Sequence, residues 1–274
     1  MSLASFAAAQ IVRVLPRVRL SRAIGRLCDS RLPPPVSRVL ANAYCRAYRV
    51  DLADVAPSNG AYPTFDAFFT RPLRAGARAI SRDDLVCPAD GRLSALGRID
   101  PGARLLVKGR SYDVTDLTGD AADARRYAGG SFAIVYLSPR DYHRVHSPAD
   151  GVIRVVRSMG GDLYPVNGIG ERHVPQLLVK NQRVAICVDN ERLGRVSAVM
   201  VGAIVVGRIS VTVLDNPDVA EGIHELMPAV SVRRGDEIGI FHLGSTVVLL
   251  LEPGVTLGRR EGTVRYGESL MRPA

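Results

Sequence analysis

From about residue 60 onward, short runs rich in Val and Ile alternate with Gly, Asp-Gly and Pro-Gly turns, a pattern that admits little except β-sheet. Strands are expected at Arg104–Val107, Phe132–Leu137, Val152–Ser158, Gln176–Val179, Val184–Val188, Val196–Val201, Ala203–Val213, Glu237–Phe241 and Thr246–Leu251. Runs this short and this closely spaced argue for a sandwich or barrel-like arrangement. Helix is expected in this part only at Phe65–Phe69 and Asp120–Arg126. Pro88-Ala89-Asp90-Gly91 recurs as Pro148-Ala149-Asp150-Gly151, and a strand-like run follows each copy. The echo is either chance, since Asp-Gly is a common turn, or the trace of two similar β subunits. The expected class is mainly β (α+β), with residues 61–274 as one β-rich domain and residues 1–60 as a helical segment.

The charge is uneven. The 274-residue chain has a formal net charge of +9, and residues 1–50 hold nine arginines against one carboxylate, Asp29. The basic character therefore belongs to one segment and points to an anionic surface, not to a basic catalytic groove. No uninterrupted apolar run is long enough for a transmembrane helix. The apolar stretch Leu3–Ala9 lacks the preceding positive charge of a secretory signal. From Pro16 the pattern turns helical: Leu20, Ala23, Ile24 and Leu27 share one face, with Arg19, Arg22 and Arg26 on the other. Pro33-Pro34-Pro35 ends this helix, and a second follows over Ser37–Tyr48. Such a segment suits a helix lying in a membrane interface with its Arg heads near lipid phosphates. An ordinary surface helix with solvated arginines and an organellar transit peptide are the two other readings. With no export signal and a basic anchor, the expected location is peripheral, on the cytoplasmic side of the cell membrane.

Composition removes other classes. Aromatic residues make up 5% and Trp is absent, so a base-stacking nucleic-acid platform has little to build on and no nucleic-acid partner is expected. Cys28, Cys45, Cys87 and Cys187 are scattered without a C-x-x-C pair, which fits free thiols better than a zinc knuckle or disulfide framework.

Two stretches carry candidate chemistry. In Asp141-Tyr142-His143-Arg144-Val145-His146-Ser147-Pro148 the two imidazoles would share a helix face but point to opposite faces of a strand, and the flanking prolines disfavour a helix. Neither His-Glu-x-x-His nor His-x-His is present, so no metal is expected. The histidines serve either proton transfer or a turn that satisfies them. The second stretch, Phe241-His242-Leu243-Gly244-Ser245-Thr246, interrupts two strand-like runs. It reads either as a glycine-bearing bend or as a self-processing site. In the latter, the Ser245 hydroxyl attacks the preceding Gly244 carbonyl, which no Cβ shields. Elimination across Cα–Cβ and hydrolysis then leave a pyruvoyl ketone. A ketone can form a Schiff base with a substrate amine and accept the electrons left by CO2, the work pyridoxal phosphate does elsewhere. Only Lys108 and Lys180 could anchor pyridoxal phosphate; a protein-derived ketone needs neither.

Several motifs occur together in order: Phe68-Phe69-Thr70-Arg71-Pro72-Leu73 with Gly76-Ala77-Arg78; Pro88-Ala89-Asp90-Gly91; Tyr142-His143-Arg144-Val145-His146-Ser147-Pro148; Tyr164-Pro165-Val166-Asn167; and Leu243-Gly244-Ser245-Thr246. With the Leu15-Pro16 to Leu20-Ser21-Arg22 stretch, they give a sequence that over most of its length resembles the bacterial-type phosphatidylserine decarboxylases. The resemblance implies a self-processing triad of Asp90, His146 and Ser245, with His146 as base and Asp90 fixing its tautomer. It implies a role for His143 in decarboxylation. It favours Asp90 over Asp150 as the carboxylate. It implies cleavage between Gly244 and Ser245 into a β chain, 1–244, and an α chain, 245–274, that stay together as a heterodimer. The cofactor would be a covalent pyruvoyl group from Ser245, and the reaction phosphatidylserine to phosphatidylethanolamine plus CO2. Two rivals remain on the residues alone: a zinc peptidase built on the His pair, and a non-enzymatic lipid-binding or carrier β module.

Overall fold

The computed structural model describes residues 17–58, 62–166, 168–204, 208–214, 216–242 and 245–272, and the backbone alone of Arg17, Ile169 and Ser245. Leu3–Ala9, Pro16, Asn167, Leu243, Gly244 and the Ser245 hydroxyl, all invoked above, lie outside what is described.

Two helices open the described chain, α1 (Arg17–Asp29) and α2 (Pro34–Tyr48). The proline run does more than stop α1. Pro34 and Pro35 occupy the first turn of α2, where a missing N–H leaves no helical bond unmade. Arg49, in the left-handed region at φ 55°, closes α2 by donating its N–H to the Cys45 carbonyl. Helix α3 (Phe65–Phe69) falls where the sequence placed it, because Thr64 Oγ1 accepts the Ala67 N–H and caps the start.

The body is an eight-stranded sheet in the order β10-β6-β7-β8-β12-β4-β1-β13, every pairing antiparallel. Its strands are β1 (Gly91–Arg98), β4 (Ser131–Leu137), β6 (Gly151–Met159), β7 (Arg183–Asn190), β8 (Gly194–Val201), β10 (Gly222–Val232), β12 (Ser245–Leu251) and β13 (Gly262–Val264). A three-stranded sheet, β5 (Arg144–His146), β11 (Glu237–His242) and β9 (Arg208–Val211), packs on one face. The hairpin β2 (Arg104–Val107) and β3 (Arg110–Asp113) covers the other, with short helices α4 (Val114–Thr118) and α5 (Ala121–Tyr127). This is the mainly β class expected.

The central strand β12 shows why its sequence runs apolar without a break from Val247 to Leu251. Val247, Leu249 and Leu251 enter one core with Leu85, Val145, Ile209 and Phe241. Val248 and Leu250 enter the opposite core with Leu105, Leu117 and Tyr127. A strand covered on both faces reads as a continuous apolar run.

Two expected strands are corrected. Gln176–Val179 is not extended: it is the helical turn α7 (Leu177–Lys180), which follows α6 (Gly168–His173). A four-residue apolar run carries no period that separates the two conformations. Here Gln176, left-handed at φ 56°, turns the chain, and Asn181 pins its end by bonding both backbone groups of Tyr164 and the Gly202 carbonyl. Among the described residues of the run Ala203–Val213, only Arg208–Val211 is a strand, with Thr212 and Val213 in a turn; residues 205–207 lie outside what is described.

The Pro-Ala-Asp-Gly echo is structural. The Val86 N–H bonds the Pro148 carbonyl while the His146 N–H bonds the Pro88 carbonyl, each at 2.8 Å. Cys87 Sγ donates to the Ala89 carbonyl and Ser147 Oγ to the Ala149 carbonyl. The N–H of Gly267 bonds the Cys87 carbonyl, and that of Gly235 the Ser147 carbonyl. A Cβ on Gly91 or on Gly151 would stand 2.4 Å from a carbonyl of the neighbouring strand, so both copies require glycine. Each glycine starts a strand with a register shift at the same place, between Leu93 and Ala95 and between Ile153 and Val155. The two turns are thus alike, each leads into a strand with the same irregularity, and they clasp each other.

Candidate active site

The antiparallel register gathers the predicted residues at one end of the large sheet. Ser245 lies opposite Leu137, and on the far side of β4 Arg92 lies opposite Tyr136. Asp90 and Gly91 therefore sit at the same end as Ser245, two ladder spacings or about 10 Å across the sheet. Beyond Leu137 the chain makes a tight turn: Asp141 accepts the Ser138 N–H and hydroxyl at 2.7 Å each. It then returns to the strand that runs toward Gly244, where the Phe241 N–H bonds the His143 carbonyl. Val145 and His146 continue along that strand, opposite Gly239 and Glu237. The alternation expected for an extended segment holds, and the two imidazoles enter different surroundings.

His143 is fully buried, its ring 4.1 Å from that of Phe69. Its Nδ1 faces the Asp141 carbonyl at 2.8 Å, so Nδ1 carries the proton. Its Nε2 is buried without a hydrogen-bond partner among the described residues. Burial pushes its pKa down to about 3, partly offset by the Asp141 carbonyl and assisted by the Arg71 charge. It is neutral at neutral pH.

His146 is flanked by aromatic rings. Tyr266 stacks on it at 3.8 Å with a 5° interplanar angle. Its Nδ1 faces the Gly235 carbonyl at 2.7 Å, and its Nε2 faces the Tyr142 hydroxyl at 3.2 Å. The carbonyl can only accept, so Nδ1 holds the proton and Nε2 presents the lone pair. Burial lowers the pKa of His146, against the Gly235 hydrogen bond and the carboxylates of Glu237 and Asp90. Asp90 does not hydrogen-bond the imidazole. Its carboxylate is held by Arg78 Nε and Nη2, the shortest contact 2.6 Å, and by the Tyr266 N–H at 2.9 Å. It reaches His146 through Tyr266, whose backbone N–H it accepts and whose ring covers the imidazole.

Asp150, the equivalent carboxylate in the second turn, accepts the Arg234 N–H at 2.9 Å and otherwise meets only the Arg234 guanidinium, 3.6 Å away. The histidine site has no counterpart there. Arg78 stood in a quoted motif without an assigned role, and Tyr266 and the Gly235 carbonyl were not singled out from sequence. The faint match of Arg233-Arg234-Gly235-Asp236 to Arg265-Tyr266-Gly267-Glu268 could have pointed to the last two.

A second polar cluster also escaped sequence reasoning. His242, three residues before Ser245, has Nδ1 2.8 Å from Asp66 and Nε2 2.6 Å from Ser210 Oγ. Arg208 bonds Asp66 and also Asp29 at the end of α1. The strand entering the Gly244–Ser245 step is thereby tied to α3 and to the N-terminal helices. Among the described residues no three His, Cys, Asp or Glu side chains gather as a metal-ligand set.

Comparison with known proteins accords with this geometry. A family model described as phosphatidylserine decarboxylase matches residues 65–272. The chain is 40% identical to the phosphatidylserine decarboxylase proenzyme of Anaeromyxobacter sp. (strain K), over 89% of this chain and 88% of that protein. It is 40% identical to the proenzyme of the same name from Psychrobacter cryohalolentis, over 92% and 91%. The proenzyme from Bordetella pertussis is 39% identical, over 94% and 92%.

Proposed function

Because the chain belongs to the phosphatidylserine decarboxylase family, we propose that it releases the carboxylate of phosphatidylserine as CO2, leaving phosphatidylethanolamine, after first cutting itself between Gly244 and Ser245. The observation that carries this reading is the gathering of Asp90, His143, His146 and Ser245 at one sheet end, with two neutral imidazoles of different surroundings.

In self-cleavage, His146 is the base. The Gly235 carbonyl fixes its tautomer, burial keeps it unprotonated at neutral pH, and Asp90 stabilises the imidazolium formed when the Ser245 proton is taken up. The Ser245 oxygen adds to the Gly244 carbonyl and the amide becomes an ester. Elimination frees the Gly244 carboxylate, and hydrolysis of the residue left at 245 expels ammonia. The products are a β chain, 1–244, and an α chain, 245–274. They remain a heterodimer because β12 is laddered to β4 and β8 and buried in both cores.

The pyruvoyl group so formed supplies a ketone that condenses with the substrate amine and accepts the electron pair left by CO2. Its surroundings fit: the buried, unpartnered Nε2 of His143 is an acceptor awaiting a polar group. His143 takes up a proton from the substrate side at Nε2 and returns it to the carbon that CO2 leaves. Phe69 and the apolar core behind it keep water from that carbon.

Residues 1–60 form the membrane-associating segment and 61–274 the catalytic domain. Among the described residues, seven of the eleven exposed large apolar side chains lie between Leu20 and Leu52, among them Leu27 and Val39 at 69% each. Leu20, Ala23 and Leu27 of the α1 stripe are exposed beside Arg19, Arg22 and Arg26 while Ile24 packs inward, which favours a lipid surface over a solvated helix. No helix among the described residues is long and apolar enough to cross a membrane. The arginines of α1 suit the anionic cytoplasmic leaflet, and we assign a peripheral position on that face.

The test is decarboxylation of phosphatidylserine vesicles. The processed protein should release CO2 and form phosphatidylethanolamine, and His143→Ala should process normally but release none. A processed protein inert on these vesicles would overturn the substrate. Flotation on anionic liposomes should require residues 1–50; unchanged flotation after their deletion would remove the membrane role.

A further inference from the structure

Three arginines are buried among the described residues: Arg71 at 2% exposure, Arg183 at 7% and Arg157 at 8%. Two are well partnered. Arg157 bonds Asp123 and lies 3.5 Å from Asp120, with only its Nε left without an acceptor. Arg183 donates to the carbonyls of Asp116, Val179 and Asn181. Arg71, the most buried, is not. No carboxylate lies within salt-bridge distance of it among the described residues. Its Nη1 and Nη2 reach the Phe69 and Arg140 carbonyls only at 3.4 Å, beyond good hydrogen-bond length, and its Nε has no acceptor. Its guanidinium lies 5.4 Å from the Phe68 ring centre. Desolvation lowers its pKa, the mark of a cation whose hydration has not been replaced.

A buried, underbonded guanidinium is costly unless an anion completes it. Arg71 borders a cavity of about 260 Å3 that it shares with Arg78, Asp90, Arg140 and Tyr142. Arg78 is already neutralised by Asp54 and Asp90. The two carbonyls that Arg71 touches belong to Phe69, which packs on His143, and to the turn that carries His143. The open cation therefore stands beside the residue assigned to decarboxylation.

We propose that Arg71 is an oxyanion-binding residue that holds the phosphate of the substrate head group. This rests on the reading of the chain as a phosphatidylserine decarboxylase. The phosphate is favoured over the carboxylate because an ion pair to the departing carboxylate would stabilise the ground state and oppose loss of CO2. A guanidinium fork matches two phosphate oxygens in one plane.

The test uses processed wild-type protein with Arg71→Met and Arg71→Lys, each verified as two chains by intact mass. In detergent micelles Arg71→Met should raise KM for phosphatidylserine about tenfold or more, the worth of charge-assisted hydrogen bonds, with kcat changed far less. Arg71→Lys keeps the charge without the fork and should fall between; it carries the test where the Met variant does not fold. In parallel, inorganic phosphate and O-phosphoserine should raise the melting temperature of wild type and not of the variants, and serine should raise neither. Protection by O-phosphoserine alone would place the site on the head group; equal protection by inorganic phosphate would make it a general phosphate site. Unchanged KM in both variants, or phosphate protection equal to that of wild type, would overturn the assignment. Phosphate protection lost in the variants, from a wild type that does not decarboxylate, would leave the oxyanion site standing and remove the substrate reading.

Discussion

At Pro88-Ala89-Asp90-Gly91 the carboxylate side chain is 11% exposed and gripped by Arg78 and a backbone N–H; at Pro148-Ala149-Asp150-Gly151 it is 51% exposed and held mainly by a backbone N–H. The backbone of the two turns is the same down to the bond each makes to the other, yet what faces them differs. The strand position whose N–H bonds Pro88 carries His146; its equivalent, bonding Pro148, carries Val86. Where Tyr266 stacks on His146 in the first half, Arg234 donates to the Arg82 and Asp83 carbonyls in the second. Two similar turns frame the sheet, and only the first is lined by a buried histidine. A turn motif therefore identifies a frame and not a site.

That contrast can be broken by variants. Asp90→Asn should slow self-cleavage by roughly 10²–10⁴-fold, the range expected when base catalysis is disabled, as read by intact mass over time. Rapid cleavage in this variant would show that the frames are chemically equivalent. Asp123 offers a contrast within the second half. It is buried between Arg157 of β6 and Arg195 of β8, and its loss leaves two guanidinium groups short of a partner. Asp123→Asn should cost about 3–5 kcal/mol in stability by chemical denaturation, yet cleave normally at temperatures where it is folded.

Acid sensitivity should track the first frame. The pKa of His143 is depressed by burial, so the unfolded chain binds a proton that the folded one refuses. Stability from this group is complete above about 6.5, the unfolded value, and is lost as pH falls toward about 3. His146 is shifted in the same direction. The melting temperature should fall from pH 7 to pH 5, and His143→Gln should flatten that slope. An equal slope in the variant would refute the burial account. The smallest effect is expected for Asp150→Asn, within about 0.5 kcal/mol and with normal cleavage, since surface substitutions seldom do more.

The parts legible in the sequence were those that local pattern dictates. Thr246–Leu251 reads as a strand because both its faces are buried, and Phe65–Phe69 and Asp120–Arg126 read as helices close to α3 and α5. Strand β10 did not show itself: it lies at the sheet edge, is largely exposed and contains Pro228. Three-residue β5 exists only because β11 and the Pro88 carbonyl hold it. In the site, Asp90, His143, His146 and Ser245 were found through motifs. Arg71 stood in a quoted motif, but its missing partner is visible only in the fold, and the Gly235 carbonyl and the Tyr266 ring meet His146 through tertiary contacts that only a faint sequence match hints at.

The most direct measurement is intact mass spectrometry of the purified, denatured protein. Two species are predicted, matching residues 1–244 and 245–274, the smaller lighter than a serine-initiated peptide by one ammonia. A single 29.5 kDa species that persists on incubation with phosphatidylserine vesicles would contradict the account.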